Sequence, residues 1–121
     1  MVNVIFFREE DGTIPLVEWL DGLVPKARDK LIVRLERLRA VGHELRRPEA
    51  DYLRDDIYEL RVSYRGVQHR ILYFYHGRAV VVVSHGLVKR QVIPEREIER
   101  AIERKRTFEE NPEKHSAGGL T

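Results

Sequence analysis

The stretch IYELRVSYRGVQHRILYFYHGRAVVVVS, residues 57–84, decides the fold. Over its first eight residues Tyr58, Leu60, Val62 and Tyr64 fall on one face and Ile57, Glu59, Arg61 and Ser63 on the other, the period of two that a strand requires. Arg65-Gly66 then makes a tight turn. Val67 to Tyr75 forms a second strand, with Gln68 and Arg70 on one face and His69 on the other. His76-Gly77 turns again, and Ala79 to Ser84 is the all-apolar strand expected at the centre of a sheet. Two short turns joining three strands predict an antiparallel meander.

Working outward, Val2 to Arg8 reads as a further strand, which Asp11-Gly12 stops. Thr13 is placed to cap a first, short helix in which Pro15 occupies the first turn and Leu16, Trp19, Leu20 and Leu23 recur at helical spacing. Pro25 opens a longer helix whose stripe of Ala27, Leu31, Leu35, Leu38 and Val41 ends at Gly42. His43 to Asp56, containing Pro48 and several acids, reads as a connecting loop, and His85 to Val92 as a second irregular segment. Pro94 starts a last helix with Ile98, Ala101 and Ile102 on its apolar side; residues 109–121 read as a loose tail behind a single domain over 1–108. Strand, two helices, three-stranded antiparallel meander and C-terminal helix together predict an α+β fold. The early helices should cover one sheet face and leave a polar patch on the other.

With 121 residues, 42% apolar and 35% charged, the chain has material for one core and a densely ionic surface. Its longest apolar run, Ala79 to Val83, is far too short to cross a bilayer, and Met1 to Arg8 does not resemble a secretion signal, so a cytoplasmic protein is expected. The absence of cysteine removes disulfides, thiolate nucleophiles and cysteine metal sites. Residues 57–90 carry six cations (Arg61, Arg65, Arg70, Arg78, Lys89 and Arg90) against one acid, Glu59, and hold His69, His76 and His85. Such a concentration suits a polyanion-binding surface, where Arg65, Gln68 and Arg90 join the candidates for RNA contact. It equally suits a sheet kept soluble by scattered arginines.

The chemistry narrows by elimination. No histidine is paired with a carboxylate at helical spacing, the glycines mark turns rather than a phosphate loop, and Ser63 and Ser84 lack a nucleophile's sharp strand-to-helix turn. No metal and no cofactor is expected. What remains is a set of basic groups, Arg61, Arg70 and Lys89, able to hold phosphate oxygens. RNA can be cut without a metal, because the 2′-hydroxyl next to the scissile phosphate is the nucleophile. The protein must then orient the phosphate, offset its extra charge, take one proton and give another. Glu59, His85, Tyr73 and Lys89 are the proton-transfer candidates. Three of them have a plain structural alternative: Glu59 pairing with Arg61, Tyr73 filling the core, His85 capping its strand.

The runs Asp56-Ile-Tyr-Glu-Leu-Arg61, His69-Arg-Ile-Leu-Tyr-Phe74 and Val80-Val-Val-Val-Ser-His-Gly86, followed by Lys89-Arg90 and Pro94, resemble the RelE/HigB toxin superfamily, in its phage-derived HigB-like branch. The likeness runs over about residues 2–106 in element order and is specific in sequence between 53 and 94. It implies a RelE-like fold and the toxin of a type II toxin–antitoxin pair, a metal-independent endoribonuclease that cuts messenger RNA on the ribosome. The partner it implies is a small helix-turn-helix antitoxin. By position, Arg61 matches a basic strand residue that contacts the RNA, Arg70 the arginine that stabilises the transition state, and Lys89 or Arg90 the basic loop beside the scissile phosphate. Glu59 stands where the best-known branch has a lysine, and no tyrosine follows Lys89-Arg90. Two other readings are a non-catalytic RNA- or protein-binding module of the same fold and a phage-derived structural or assembly protein.

Overall fold

The computed structural model describes residues 1–89 and 91–120. Its elements are β1 (Asn3–Phe7), α1 (Pro15–Asp21), α2 (Pro25–Val41), a 3-10 turn at Gly42–Glu44, β2 (Ala50–Arg54), β3 (Ile57–Tyr64), β4 (Val67–His76), β5 (Val80–Val88), α3 (Glu95–Glu110) and β6 (Ser116–Ala117). The six strands form one sheet in the order β2-β3-β4-β5-β1-β6. The meander is as the alternation predicts: Arg61 faces Arg70 across β3 and β4, and β5 runs antiparallel to β4. β1 pairs with the far side of β5 in parallel, so Val81, Val82 and Val83 are enclosed on both faces and both edges.

One face of the sheet packs against α1 and α2. There Leu16, Leu20, Leu31, Leu35 and Leu38 meet Val4, Leu60, Val62, Ile71, Tyr73, Val81 and Val83. Trp19 lies directly on Gly86, where a Cβ would stand 2.1 Å from the indole ring; glycine is what lets that ring seat on β5. Pro25 begins α2 and Gly42, at φ +62°, ends it against Val2. Thr13 is not the cap of α1. Its backbone N–H instead bonds the Asp11 side chain at 2.9 Å, closing the turn before the helix, and Ile14 takes the cap position without a side-chain bond.

The other face is less open than the sequence suggests. α3 lies across it, burying Ile98, Ala101 and Phe108 against Phe7, Ile57, Leu72, Phe74 and Val82. Among the described residues, an opening remains beside β2 and β3 and reaches Arg70 of β4. Three further expectations change. The segment read as a connecting loop contains β2, which pairs antiparallel with the first half of β3. β5 continues to Val88 through an irregularity between Leu72 and Tyr73, where Leu72 pairs with His85 and Tyr73 with Val83; Ser84 is the extra residue of a bulge. Of residues 109–121, expected as a loose tail, the stretch 109–117 finishes α3 and returns to pair with β1, with His115 buried, its Nδ1 2.9 Å from the Arg8 carbonyl. Among the described residues no helix is long and apolar enough to cross a membrane.

Candidate functional site

Strand alternation and the two-residue turn at Arg65-Gly66 put Glu59, Arg61, Gln68 and Arg70 on one sheet face. Glu59, Arg61 and Arg70 border a hollow of about 510 Å³ on the uncovered part of that face, and Gln68 lies outside it. Asp51, Leu53 and Arg54 of β2 wall one side; Gln91 to Ile93 and the first turn of α3, with Glu95 and Ile98, wall the other. At its centre stands the buried Glu59 carboxylate. Its Oε1 accepts from Arg70 Nη1, and its Oε2 lies 3.3 Å from Arg61 Nη2. Arg61 Nη2 also reaches Asp51 Oδ2 at 3.2 Å, and Arg54 Nη2 spans the mouth to Glu95 at 2.7 Å. Arg47 beside Asp51 holds that carboxyl below the usual carboxylate range.

The hollow is therefore not the bare cationic patch that residue counting predicts. Arg54, Arg61 and Arg70 stand against Asp51, Glu59 and Glu95, and the opposing charges balance. The pairing is incomplete, however. Among the described residues the Nε–H groups of Arg61 and Arg70 are buried and meet no acceptor. Buried polar groups are normally satisfied, and an unpaired guanidinium donor is costly to retain. An anion entering the hollow could exchange with the carboxylate and engage more donors than the resting contacts use. The N-terminal end of α3 adds a favourable dipole.

The back of the site is held firmly. Beyond Leu60, where β2 stops pairing, α2 closes the free edge of β3. Arg34 donates to the Arg61 carbonyl and Lys30 Nζ to the Ser63 carbonyl at 2.8 Å, while the Arg61 N–H bonds the Glu49 carbonyl at 2.9 Å.

The remaining sequence candidates scatter. Gln68 shares the face but bonds Ser63 Oγ at 3.2 Å. The Lys89 N–H extends the β4–β5 ladder to the Gln68 carbonyl, and its side chain is exposed at that end. Arg65 is not in the hollow. It sits on the β3–β4 turn over the Tyr64 ring, beside an apolar groove on the opposite face. Arg90 lies outside the described residues. Tyr73 belongs to the core under α1 and α2, where burial pushes its hydroxyl pKa far up and removes it as a proton donor.

His85 is likewise absent from the hollow. Leu72 separates it from Glu59 along the row of cross-strand partners, and α3 covers it. Burial first, then the Arg104 charge, lower its pKa to about 4, which leaves the ring neutral at pH 7. The contacts assign the tautomer: Nε2–H donates to Glu97 Oε1 at 2.9 Å, and Nδ1 accepts from Ser84 Oγ at 2.7 Å. Arg104 in turn donates to Ser84 Oγ and to Glu9. The bulge at Ser84 turns the Ser84 and His85 side chains toward α3, and His85 is part of what fastens that helix. Asp51, Arg54 and Glu95 were missed from sequence because β2 and α3 meet only in the folded chain.

A mixed α+β protein with a six-stranded sheet, three helices and an arginine–carboxylate hollow on one sheet face is the class that these features define. The chain belongs to the family described as Phage derived protein Gp49-like (DUF891), whose match covers residues 18–106 and so includes the whole hollow. No curated protein matches the chain.

Proposed function

We propose that the protein is a RelE/HigB-like toxin, a metal-independent endoribonuclease that cuts messenger RNA on the ribosome. The observation that carries this reading is the convergence of Arg61 and Arg70, from adjacent strands, on one buried carboxylate in a solvent-open hollow. The scissile phosphate displaces Glu59 from the two guanidiniums, which then hold its oxygens and offset the charge that builds up in the transition state. The freed Glu59 carboxylate takes the proton of the attacking 2′-hydroxyl. The new bond is from the 2′-oxygen to phosphorus and the bond broken is to the 5′-oxygen, giving a 2′,3′-cyclic phosphate and a 5′-hydroxyl. Lys89, on the exposed end of the same face, is the candidate to protonate the leaving oxygen. His85 is not proposed again for proton transfer.

Family membership supports a phage-derived origin for this fold. The cytoplasm, the translating ribosome and a helix-turn-helix antitoxin belong to the same reading. A second reading, a binding module without catalysis, draws on the balance of acids and arginines in the hollow. Primer extension on a ribosome-bound message separates them. Discrete stops at codon positions, with cyclic-phosphate ends, are expected with folded protein; an intact message at excess protein leaves only the binding module.

A further inference from the structure

On the opposite face of β2 lies a second hollow, of about 420 Å³, lined by His43, Arg46, Arg47, Asp51, Tyr52 and Tyr58 among others. Tyr52 is the only aromatic among the exposed large apolar residues described, with half of its surface accessible. Its place is fixed. The Asp56 N–H donates to its hydroxyl at 3.1 Å, and its ring meets Tyr58 edge-on at 5.1 Å. Tyr58 rests in turn on Tyr73 and Tyr75, and His43 stacks on Tyr75 at 3.8 Å. A half-exposed ring backed by a packed run of other rings is a rigid stacking platform, which an unpaired base can use at little ordering cost.

The surrounding charge gives the platform a direction. Arg46 is exposed and forms no side-chain bond or ion pair among the described residues. Arg47, mostly exposed, contacts Asp51 at 2.9 Å. Asp56 borders the platform's other side. A polyanion leaving the ring is thus drawn past Arg46 and away from the β2–β3 turn. Asp51 belongs to both hollows. Contacts run without a break from Arg47 through Asp51 and Arg61 to Glu59 and Arg70. One nucleic-acid strand crossing the β2 edge can therefore reach both hollows.

We propose that the second hollow binds one unpaired base of the RNA strand whose phosphate occupies the first, with Tyr52 stacked on the base and Arg46 meeting a flanking phosphate. This rests on RNA as the ligand of the first hollow and adds a base contact that sets where along a message the strand is held.

A fluorescent 2′-O-methyl RNA octamer, which cannot be cut by its own 2′-oxygen, tests it by anisotropy. Tyr52→Ala should weaken binding about tenfold, the size of one lost base stack, and Tyr52→Phe, which keeps the ring, should recover most of that. Arg46→Ala should lower the salt dependence by about one phosphate contact. Removing a single base at the stacked position should cost the native protein the same factor and cost Tyr52→Ala nothing more. If the octamer binds, is weakened by Arg70→Ala and ignores Tyr52→Ala, the second hollow is overturned and the RNA reading stands. If native protein does not bind the octamer at all, the second hollow is overturned, and the RNA reading stands or falls by primer extension on the ribosome.

Discussion

Two polar clusters share the α3 face of the sheet, and they differ in how fully their groups are satisfied. Around His85, donors and acceptors form a closed chain from Glu9 through Arg104, Ser84 and His85 to Glu97, covered by α3. Around Glu59, two buried guanidinium N–H groups have no partner among the described residues, the opposed charges are crowded, and solvent reaches the hollow. A completed network fixes an element in place, whereas an incomplete one beside an opening suits exchange with a ligand. The sequence offers both His85 and Glu59 for proton transfer; the packing sets them apart, His85 closed under α3 and Glu59 at an open hollow, where we propose that it reacts.

The largest effect that tests this division is on cleavage. Arg70→Ala should reduce the rate on ribosome-bound message about 10²-fold or more, the usual consequence of losing one transition-state donor, with circular dichroism unchanged. Glu59→Gln comes next and sharpens the account. If Glu59 takes the proton, cleavage falls about 10²-fold while RNA affinity holds or rises, because the arginines lose a competing carboxylate. Faster cleavage by that variant would reduce Glu59 to a plug.

On the closed side the expected effects are on stability. His85→Asn should destabilise the fold by about 2 kcal/mol in urea melts, through broken buried hydrogen bonds, and leave cleavage per folded molecule unchanged. The native His85 pKa, about 4, lies below the ordinary value near 6.5, so the unfolded chain binds the extra proton first. The stability that neutral His85 contributes is complete above about pH 6.5 and is lost as pH falls toward about 4. The groups facing the ring are Glu97, Arg104, Arg100 and Ser84, and a melt series should show this slope reduced in His85→Asn. The smallest effect belongs to the rim. The Arg54–Glu95 pair is exposed, and Arg54→Ala should change RNA affinity by less than about fivefold.

How much of this was legible depended on whether the signal was local. The meander could be read because alternation and two-residue turns act over a few residues, and Arg61 opposite Arg70 follows from Arg65-Gly66 alone. β2 could not, since Ala50-Asp-Tyr-Leu-Arg54 is a short edge strand carrying Asp51 and Arg54 behind Pro48, which resembles a loop. The bulge at Ser84 was equally hidden: nothing in an apolar run announces an extra residue, yet it turns Ser84 and His85 toward α3. The ion pairs that neutralise the hollow join β2, β3, β4 and α3, so a tally of cations along the chain overstated its positive charge. The tail was misjudged because small residues read as freedom, while Gly119 is placed so that an added Cβ would stand 2.3 Å from the Val4 carbonyl oxygen.

The most direct measurement compares native protein, Arg70→Ala and His85→Asn in one primer-extension experiment on translating ribosomes, with equal folded concentrations fixed by melts. Cleavage that is lost in Arg70→Ala and kept in His85→Asn is the predicted result. Equal cleavage by all three, or loss in His85→Asn with Arg70→Ala intact, would contradict it.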